Sequence, residues 1–457
     1  MNKVLFSPIG TSDPIRDLHD GPMLHIVRHY RPQAVYLFLT TEMETVHDAD
    51  DRYRQSIWHV DPECKIEIIR SGIREPHLFD RFVGVFTAYL EQVQQVWPDC
   101  EILLNVTSGT PQMILGLCLE AVLGKYPVQA VQVTSPAKAA NIQNHPIVAV
   151  ESLKELFAYN LDEETGTANR CIATDIAIMR KNNAKQQLLS LITNYEYRGA
   201  MAVMDQYGSL FPTEVNVLLN HAAKRANLDV KAAKQWADKY GGPVKLYPVQ
   251  DPRAAKLTEF FMVMSIRQQQ GEIADFMLKI TPFLYELTYT WLQDGLNFPI
   301  LQVIRIQDDH WILDEEKVKR YDFRLWEQLN TYYSGKFRSG SLSFANMLAI
   351  LSCLASRQQR AGSATIVDNL PALLELREYE ERVRNKTAHE ITMVSEDMIH
   401  AAGVAIAKKT GRNRRHMSSS QLLKDLETVM RKLLGSRCAA YSFVYQDINR
   451  RIEELII

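Results

Sequence analysis

Three side chains near the C-terminus have the types and spacing for acid–base work on a phosphate: Arg384, Asn385 and His389. Histidine exchanges protons near neutral pH. Arginine is always cationic, and its planar fork matches a phosphate. Asn385 stands four residues before His389, on the same face of a helix, where its amide can orient the imidazole. At roughly 100° per residue, Arg384 lies about 140° round the helix from His389. One copy therefore makes a poor site, and two copies facing each other across a twofold axis make a better one. The spacing alone is not decisive, because Arg54 to His59 and Arg305 to His310 repeat it, neither with an asparagine after the arginine.

The element that must hold these residues is the stretch 371–390. Leu373, Leu376, Tyr379 and Val383 recur at steps of three, three and four, one apolar stripe of an α-helix. Charge crowds the other face: Arg377, Glu378, Glu381, Arg382, Arg384 and Lys386. Pro371 suits the first turn of such a helix.

The densest basic run follows at 408–416, with Lys408, Lys409, Arg412, Arg414 and Arg415. It reads as a loop between helices at 395–407 and 418–435, and as a local polyanion site in a chain of net charge −2. Lys336 and Arg338 form a second, smaller candidate. A solvated cationic loop is the competing reading for both.

The N-terminal third alternates strands and helices. Apolar runs at 3–8, 34–40, 65–69, 101–106 and 128–133 are separated by helical patterns at 21–31, 76–96 and 111–125, which predicts a doubly wound, mostly parallel α/β sheet. Ligands of such sheets sit beyond the carboxyl ends of the strands. Here those ends carry Gly10, Thr11, Ser12 and Asp13, then Thr40 and Thr41, and later Thr134. The fourth end is the richest: Asn105, Thr107, Ser108, Gly109, Thr110, Pro111 and Gln112. Thr110 can cap the next helix, Pro111 fits its first position, and the helix N-terminus suits a phosphate. Each loop alone also reads as a turn, but four at one edge favour a ligand. Neither GxGxxG nor GxxxxGK[ST] occurs, which disfavours nicotinamide cofactors and P-loop nucleotides.

From 151 to 265 the pattern turns helical, with no chemical motif. His221 reads as a structural surface residue, and Pro282, within a long amphipathic stretch at 255–294, as a boundary or kink. A short hairpin is expected over 301–313, and helices fill the remainder. Apolar content of 46% and six scattered cysteines fit a protein of the reducing cytoplasm, without disulfides, zinc sites, signal peptide or membrane span.

Taken together, Ser7 to Asp13, Asn105 to Gln112, the helical connector and the late helix with Arg384, Asn385 and His389 resemble the CARF–HEPN ribonucleases of type III (III-A) CRISPR systems. The resemblance spans nearly the whole chain. It implies a Rossmann-like CARF domain at 1–155, a helical connector at 156–265 and an all-α HEPN domain at 266–457. It further implies a cytoplasmic homodimer with no stable protein partner. The CARF pair would bind cyclic oligoadenylate, hexa-adenylate before tetra-adenylate, as an allosteric activator. The HEPN pair would cut single-stranded RNA without a metal, through 2′-hydroxyl attack that leaves a 2′,3′-cyclic phosphate. Some members of that family also cut their activator slowly. The alternative is a CARF regulator that binds nucleic acid without cleaving it.

Overall fold

The structure is a computed structural model that describes residues 2–124, 126, 128–136, 152–174, 177–361, 365–384, 394–410 and 418–457. The chain divides into two compact units, Met1–Asn183 and Ala184–Ile457.

The first unit is built on β1 (Asn2–Pro8), whose Val4 to Phe6 are fully buried. Successive strand residues point to opposite faces. Val4 and Phe6 accordingly enter a core with Phe38, Phe86, Ile102 and Leu117, while Leu5 enters a second core with Leu24, Val27, Leu37 and Ile57. A strand covered on both faces must be apolar throughout, as these are. The short hairpin β2 (Ile15–Arg16) and β3 (His19–Asp20) precedes α1 (Pro22–Tyr30). Then come β4 (Ala34–Leu39), α2 (Thr41–Asp50), α3 (Arg52–Val60), β5 (Lys65–Arg70), α4 (Val85–Val96), β6 (Cys100–Asn105), α5 (Pro111–Leu123) and β7 (Val128–Val133). After α6 (Leu153–Ala158), β8 (Cys171–Ala173) closes the sheet. The order is β5-β4-β1-β6-β7-β8, all parallel except β8, which runs antiparallel to β7. The strand order reverses between β1 and β6, so the crevice of this α/β sheet opens there. The helix expected over 76–96 is instead a 3₁₀ turn, Phe79–Phe82, and α4, separated at Gly84, whose φ is +73°.

The second unit is helical around one continuous core. α7 (Ala177–Thr193), which spans the division, leads to α8 (Tyr197–Tyr207), α9 (Thr213–Ala226) and α10 (Val230–Ala237). α11 (Pro252–Gln269) and α12 (Ile273–Thr290) replace the single stretch expected over 255–294. The break falls at Gly271, and Pro282 lies inside α12, not at a boundary. α13 (Ile300–Val303), β9 (Ile304–Gln307), β10 (His310–Leu313), α14 (Glu315–Tyr321), α15 (Phe323–Tyr332) and β11 (Gly340–Ser341) follow, with the three strands in the order β11-β10-β9. α16 (Phe344–Ala361) and α17 (Thr365–Tyr379) precede a π-helical turn, Glu380–Arg384. Helices Glu396–Thr410, Ser419–Leu434 and Val444–Ile456 complete the unit.

Three expectations are corrected here. Pro371 is the seventh residue of α17 and not in its first turn, since the helix begins at Thr365. His221 is fully buried, its Nδ1 donating to the Ala233 carbonyl at 2.9 Å, because α10 packs over the face of α9 that carries it. Burial holds its imidazole down at about 4, so it stays neutral. Lys408 and Lys409 form the last turn of a helix, where cations suit the dipole, and not a loop. Among the described residues, no helix is long and apolar enough to cross a membrane.

Candidate active and ligand-binding sites

At the switch point of the first unit, Asn105 is fully buried and uses its whole amide. Its Nδ2 donates to Ser7 Oγ and Ser108 Oγ, both at 2.9 Å, and its Oδ1 accepts from Thr107 N (3.0 Å) and Ser108 N (3.3 Å). This pins the loop after β6 to the end of β1. Asp13 does the same from the other side. Its two carboxylate oxygens accept from Gly10 N (3.1 Å) and Met23 N (3.0 Å). Burial pushes this carboxyl up to about 6, against the lowering effect of Ser108 and the two N–H groups. The loops then touch: a Cβ on Gly10 would stand 2.7 Å from the backbone N of Gly109, and Gly109 itself has φ +91°. Both positions need glycine.

Several hydroxyls expected at the ligand are therefore engaged in the scaffold. Thr107 Oγ1 accepts from Val133 N at 2.8 Å. Thr110 Oγ1 caps Met113 N and donates to the Pro76 carbonyl at 2.7 Å. Thr134 Oγ1 faces the Arg170 carbonyl at 3.4 Å. Ser108 and Thr40 are buried. What stays open at this edge is Thr11, Ser12, Pro111 and Gln112, with the Gln112 N–H in the first turn of α5, since Pro111 has none and Thr110 takes those of Met113 and Ile114. Thr41 is not among them, as its Oγ1 is buried, without a hydrogen-bond partner.

Beside this edge lies a polar network that the sequence did not announce. Arg28 grips Asp20 through Nε (2.6 Å) and Nη2 (3.1 Å), and Asn160 Nδ2 donates to Asp20 at 2.7 Å. Arg170 Nη2 donates to Asp162 at 2.6 Å, and its backbone N–H donates to His25 Nε2 at 3.0 Å. Asp20, His25 and Asp162 bring ligand atoms within 4.8 Å of one another. Two guanidiniums already supply the positive charge there, so the donor set suits ion pairs better than a cation. Arg28 and Asp20 are eight residues apart, as are Arg170 and Asp162, but the bonds that join these pairs, Asn160 to Asp20 and Arg170 to His25, span 140 and 145 residues, and no local pattern signals them.

In the second unit, the turn Glu380–Arg384 ends at the candidate catalytic segment. Arg384 is described by its backbone, and Asn385, His389, Arg412, Arg414 and Arg415 lie outside the described residues. The turn lets Tyr379, Glu380 and Val383 all point inward. Glu380 is 2% exposed, accepts from Thr281 Oγ1 at 2.6 Å and pairs with Arg377. π-turns are frequent at functional sites. Lys409 reaches Glu378 on α17 at 2.7 Å, which brings the basic helix end beside this segment. Lys336 and Arg338 are exposed.

The two units match known domains. The Csm6 CARF domain model matches residues 65–171, the Csm6 6H domain model 175–226 and the Csm6 HEPN domain model 246–453. The CRISPR system endoribonuclease Csm6 of Mycobacterium tuberculosis is 31% identical over 451 residues, covering 98% of this chain and 99% of that protein. The chain belongs to the Csm6 family. Csm6 of Enterococcus italicus is 30% identical over 311 residues, 66% of this chain and 69% of that one. A solved structure, Enterococcus italicus Csm6 bound to cyclic hexa-2′-fluoro-hexa-dAMP, shares the fold at TM-score 0.72 and 23% identity, over the full length of both chains. In Csm6 terms, β6 and the loop after it lie in the CARF match and Arg384 in the HEPN match.

Proposed function

We propose that this Csm6 chain is a cytoplasmic, homodimeric endoribonuclease that cuts single-stranded RNA when cyclic oligoadenylate occupies its CARF pair. The observation that carries the reading is the coincidence of an acid–base segment with the HEPN match, next in sequence after a turn that buries Glu380. The 2′-hydroxyl of the RNA attacks the adjacent phosphorus, the bond to the 5′-oxygen breaks, and a 2′,3′-cyclic phosphate and a 5′-hydroxyl result. Arg384 stabilises the charge on the phosphorane. His389 acts as general acid or base, or binds the phosphate as a cation, and Asn385 orients it or contacts the RNA. No metal enters this scheme. Lys336, Arg338, Lys408, Lys409, Arg412, Arg414 and Arg415 attract the RNA backbone. The working division remains CARF 1–155, connector 156–265 and HEPN 266–457.

Cyclic hexa-adenylate is the favoured activator, supported by the six-membered ring named with the Enterococcus italicus structure, and tetra-adenylate is second. The contacts run through Gly10 to Asp13, Thr40, Thr41, Asn105, Thr107 to Gln112 and Thr134, the buried members acting by shaping the loops. The homodimer has support on α5. Leu115, Leu119 and Leu123, at steps of four, are 51%, 41% and 57% exposed on the helix that opens at the ligand loop. A contiguous apolar stripe of this kind marks a protein contact. A twofold axis along it would set two ligand loops side by side. Slow cutting of the activator belongs to the same proposal, and an intact ring after prolonged incubation with active enzyme would remove that part.

The deciding experiment is cleavage of a fluorescent single-stranded RNA in EDTA, with no ring, with cyclic tetra-adenylate and with cyclic hexa-adenylate. Strong stimulation by one ring, abolished by His389→Ala with the ring still bound, is the expected result. No cleavage under any condition, with ring binding confirmed, would replace the nuclease with a ligand-sensing regulator.

A further inference from the structure

Thr281, Tyr285 and Tyr289 recur at steps of four on α12 and so form one inclined ridge. Thr281 holds Glu380 at the head of the turn that ends at Arg384. Tyr285 and Tyr289 stand about 6 and 12 Å farther along the axis, at ~1.5 Å per residue. There the ridge opens into a cleft of about 520 Å³ whose facing wall is the tip of the β9–β10 hairpin, with Asp309, His310 and Trp311. That volume lies in the range of small-ligand sites, roughly 300–1,000 Å³.

The walls of the cleft are flat and their polar tips are free. The rings of Tyr289 and Trp311 pack on each other, tilted by 57° with centroids 5.1 Å apart, and the Arg253 guanidinium, paired with Asp294, lies over Tyr289 at 5.9 Å, so Tyr285 is the tyrosine whose face is left for a ligand. Among the described residues, no protein group hydrogen-bonds the hydroxyls of Tyr285 and Tyr289 or the indole N–H of Trp311. Aromatic faces with free polar tips suit an unstacked base, which takes a ring on its face and hydrogen bonds on its edge. Charge then decides which part of a nucleotide enters. The one ammonium in the lining, Lys256, is held by Glu286 at 2.9 Å, and Asp309 has no cationic partner among the described residues. A phosphate would be repelled. A carboxylate accepts only, so it matches the exocyclic amino group of adenine, cytosine or guanine, whereas uracil offers it a single donor, N3–H, between two carbonyl oxygens that repel it.

We propose that this cleft holds an unpaired, amino-bearing base of the RNA substrate. The proposal rests on the ribonuclease reading above and adds a base preference to it. Asp309 sits on an exposed hairpin tip with φ +60°, a conformation asparagine also tolerates, so Asp309→Asn keeps the fold.

The test uses the full chain, its activating ring and a set of fluorescent single-stranded RNAs that differ in one base. The wild type is expected to favour adenine, cytosine or guanine over uracil at one position. Asp309→Asn is expected to erase that preference. Tyr285→Ala is expected to raise KM by about five- to a hundredfold, the worth of one base–aromatic stack. Active wild type without a base preference, or both variants keeping its KM and base profile, overturns the cleft as a base site. A wild type that cuts no RNA with either ring fails differently, because it removes the ribonuclease reading and this proposal with it.

Discussion

Asp13 lets the order of the ligand loops be tested separately from ligand contact. Its carboxyl stands at about 6 in the fold because burial disfavours the charge, against an ordinary 3.8. Each tenfold step in ionisation is worth ~1.4 kcal/mol, so at pH 7 the ionised form costs the fold roughly 3 kcal/mol. A raised acid stabilises the native state most at low pH and loses that contribution as pH rises through the folded value. The wild type is therefore expected to give up about 2–3 kcal/mol between pH 4 and 7 through this group alone. Asp13→Asn removes the charge but keeps one acceptor, leaving either the Gly10 or the Met23 N–H facing an amide NH2, at a cost of about 1–3 kcal/mol. The two effects nearly cancel at pH 7, and the variant should lack the slope. The assay is thermal unfolding of both proteins from pH 4 to 8, read as the difference between them, so that other carboxylates cancel. At ~2–4 °C per kcal/mol, the gap should move by roughly 5–10 °C over that range. The ring concentration for half-activation should also rise about five- to a hundredfold if the lost bond disorders the loop. A Tm difference that does not change with pH would refute the account of Asp13 as a charge kept buried to hold the loop.

Asp20 is the opposite case. Burial pushes its carboxyl up, but hydrogen bonds from His25, Arg28 and Asn160 overcome that and hold it down at about 2. Its contribution, roughly 2 kcal/mol, is present above pH 4 and lost as pH falls towards 2, so the Tm gap between wild type and Asp20→Asn should close in acid and stay open at pH 7. Glu259→Ala leaves Arg225, with 2% of its side chain exposed, without its partner in the second unit and should cost about 3–5 kcal/mol, checked by denaturant unfolding, where a loss under ~1 kcal/mol would contradict it. Thr281→Val keeps the size of the side chain but removes the donor to Glu380, so kcat should fall about tenfold while ring affinity holds; equal kcat would make the contact structural only. Leu119→Asp on the exposed α5 stripe should shift sedimentation from dimer to monomer, and an unchanged dimer would move the interface elsewhere.

The sheet was legible because its central strands are buried on both faces, so β1, β4 and β6 had to be short apolar runs closed by turn residues. The cap of α5 was legible too, since Thr110 and Pro111 carry their function locally. What escaped depended on partners far away in the chain. His221 sits among alanines in sequence, and only α10 and Tyr247, packed over it, make it a core residue. Glu380 looks like one more charge on a charged face until the π-turn rotates it inward to Thr281. Lys408 and Lys409 looked like loop because a basic run has no apolar period to extend the preceding helix.

The loops of the first unit show why residue type alone could not separate contact from scaffold. A small polar side chain that caps a helix and one that binds a phosphate have the same composition, and here most are taken by the backbone. Asn105, Asp13, Thr107 and Thr110 use their polar atoms to bring Gly10 and Gly109 into contact. That leaves main-chain N–H groups such as that of Gln112, the exposed Thr11 and the half-buried Ser12 and Gln112 for a ligand. N–H groups at a helix start favour negative charge and read no base. Recognition at this edge should therefore fall first on the phosphates of a ring, with its bases sorted by the few side chains left free. A site of that kind depends on the spacing of two loops more than on any one residue, which is why the two glycines at their contact carry as much of it as the hydroxyls.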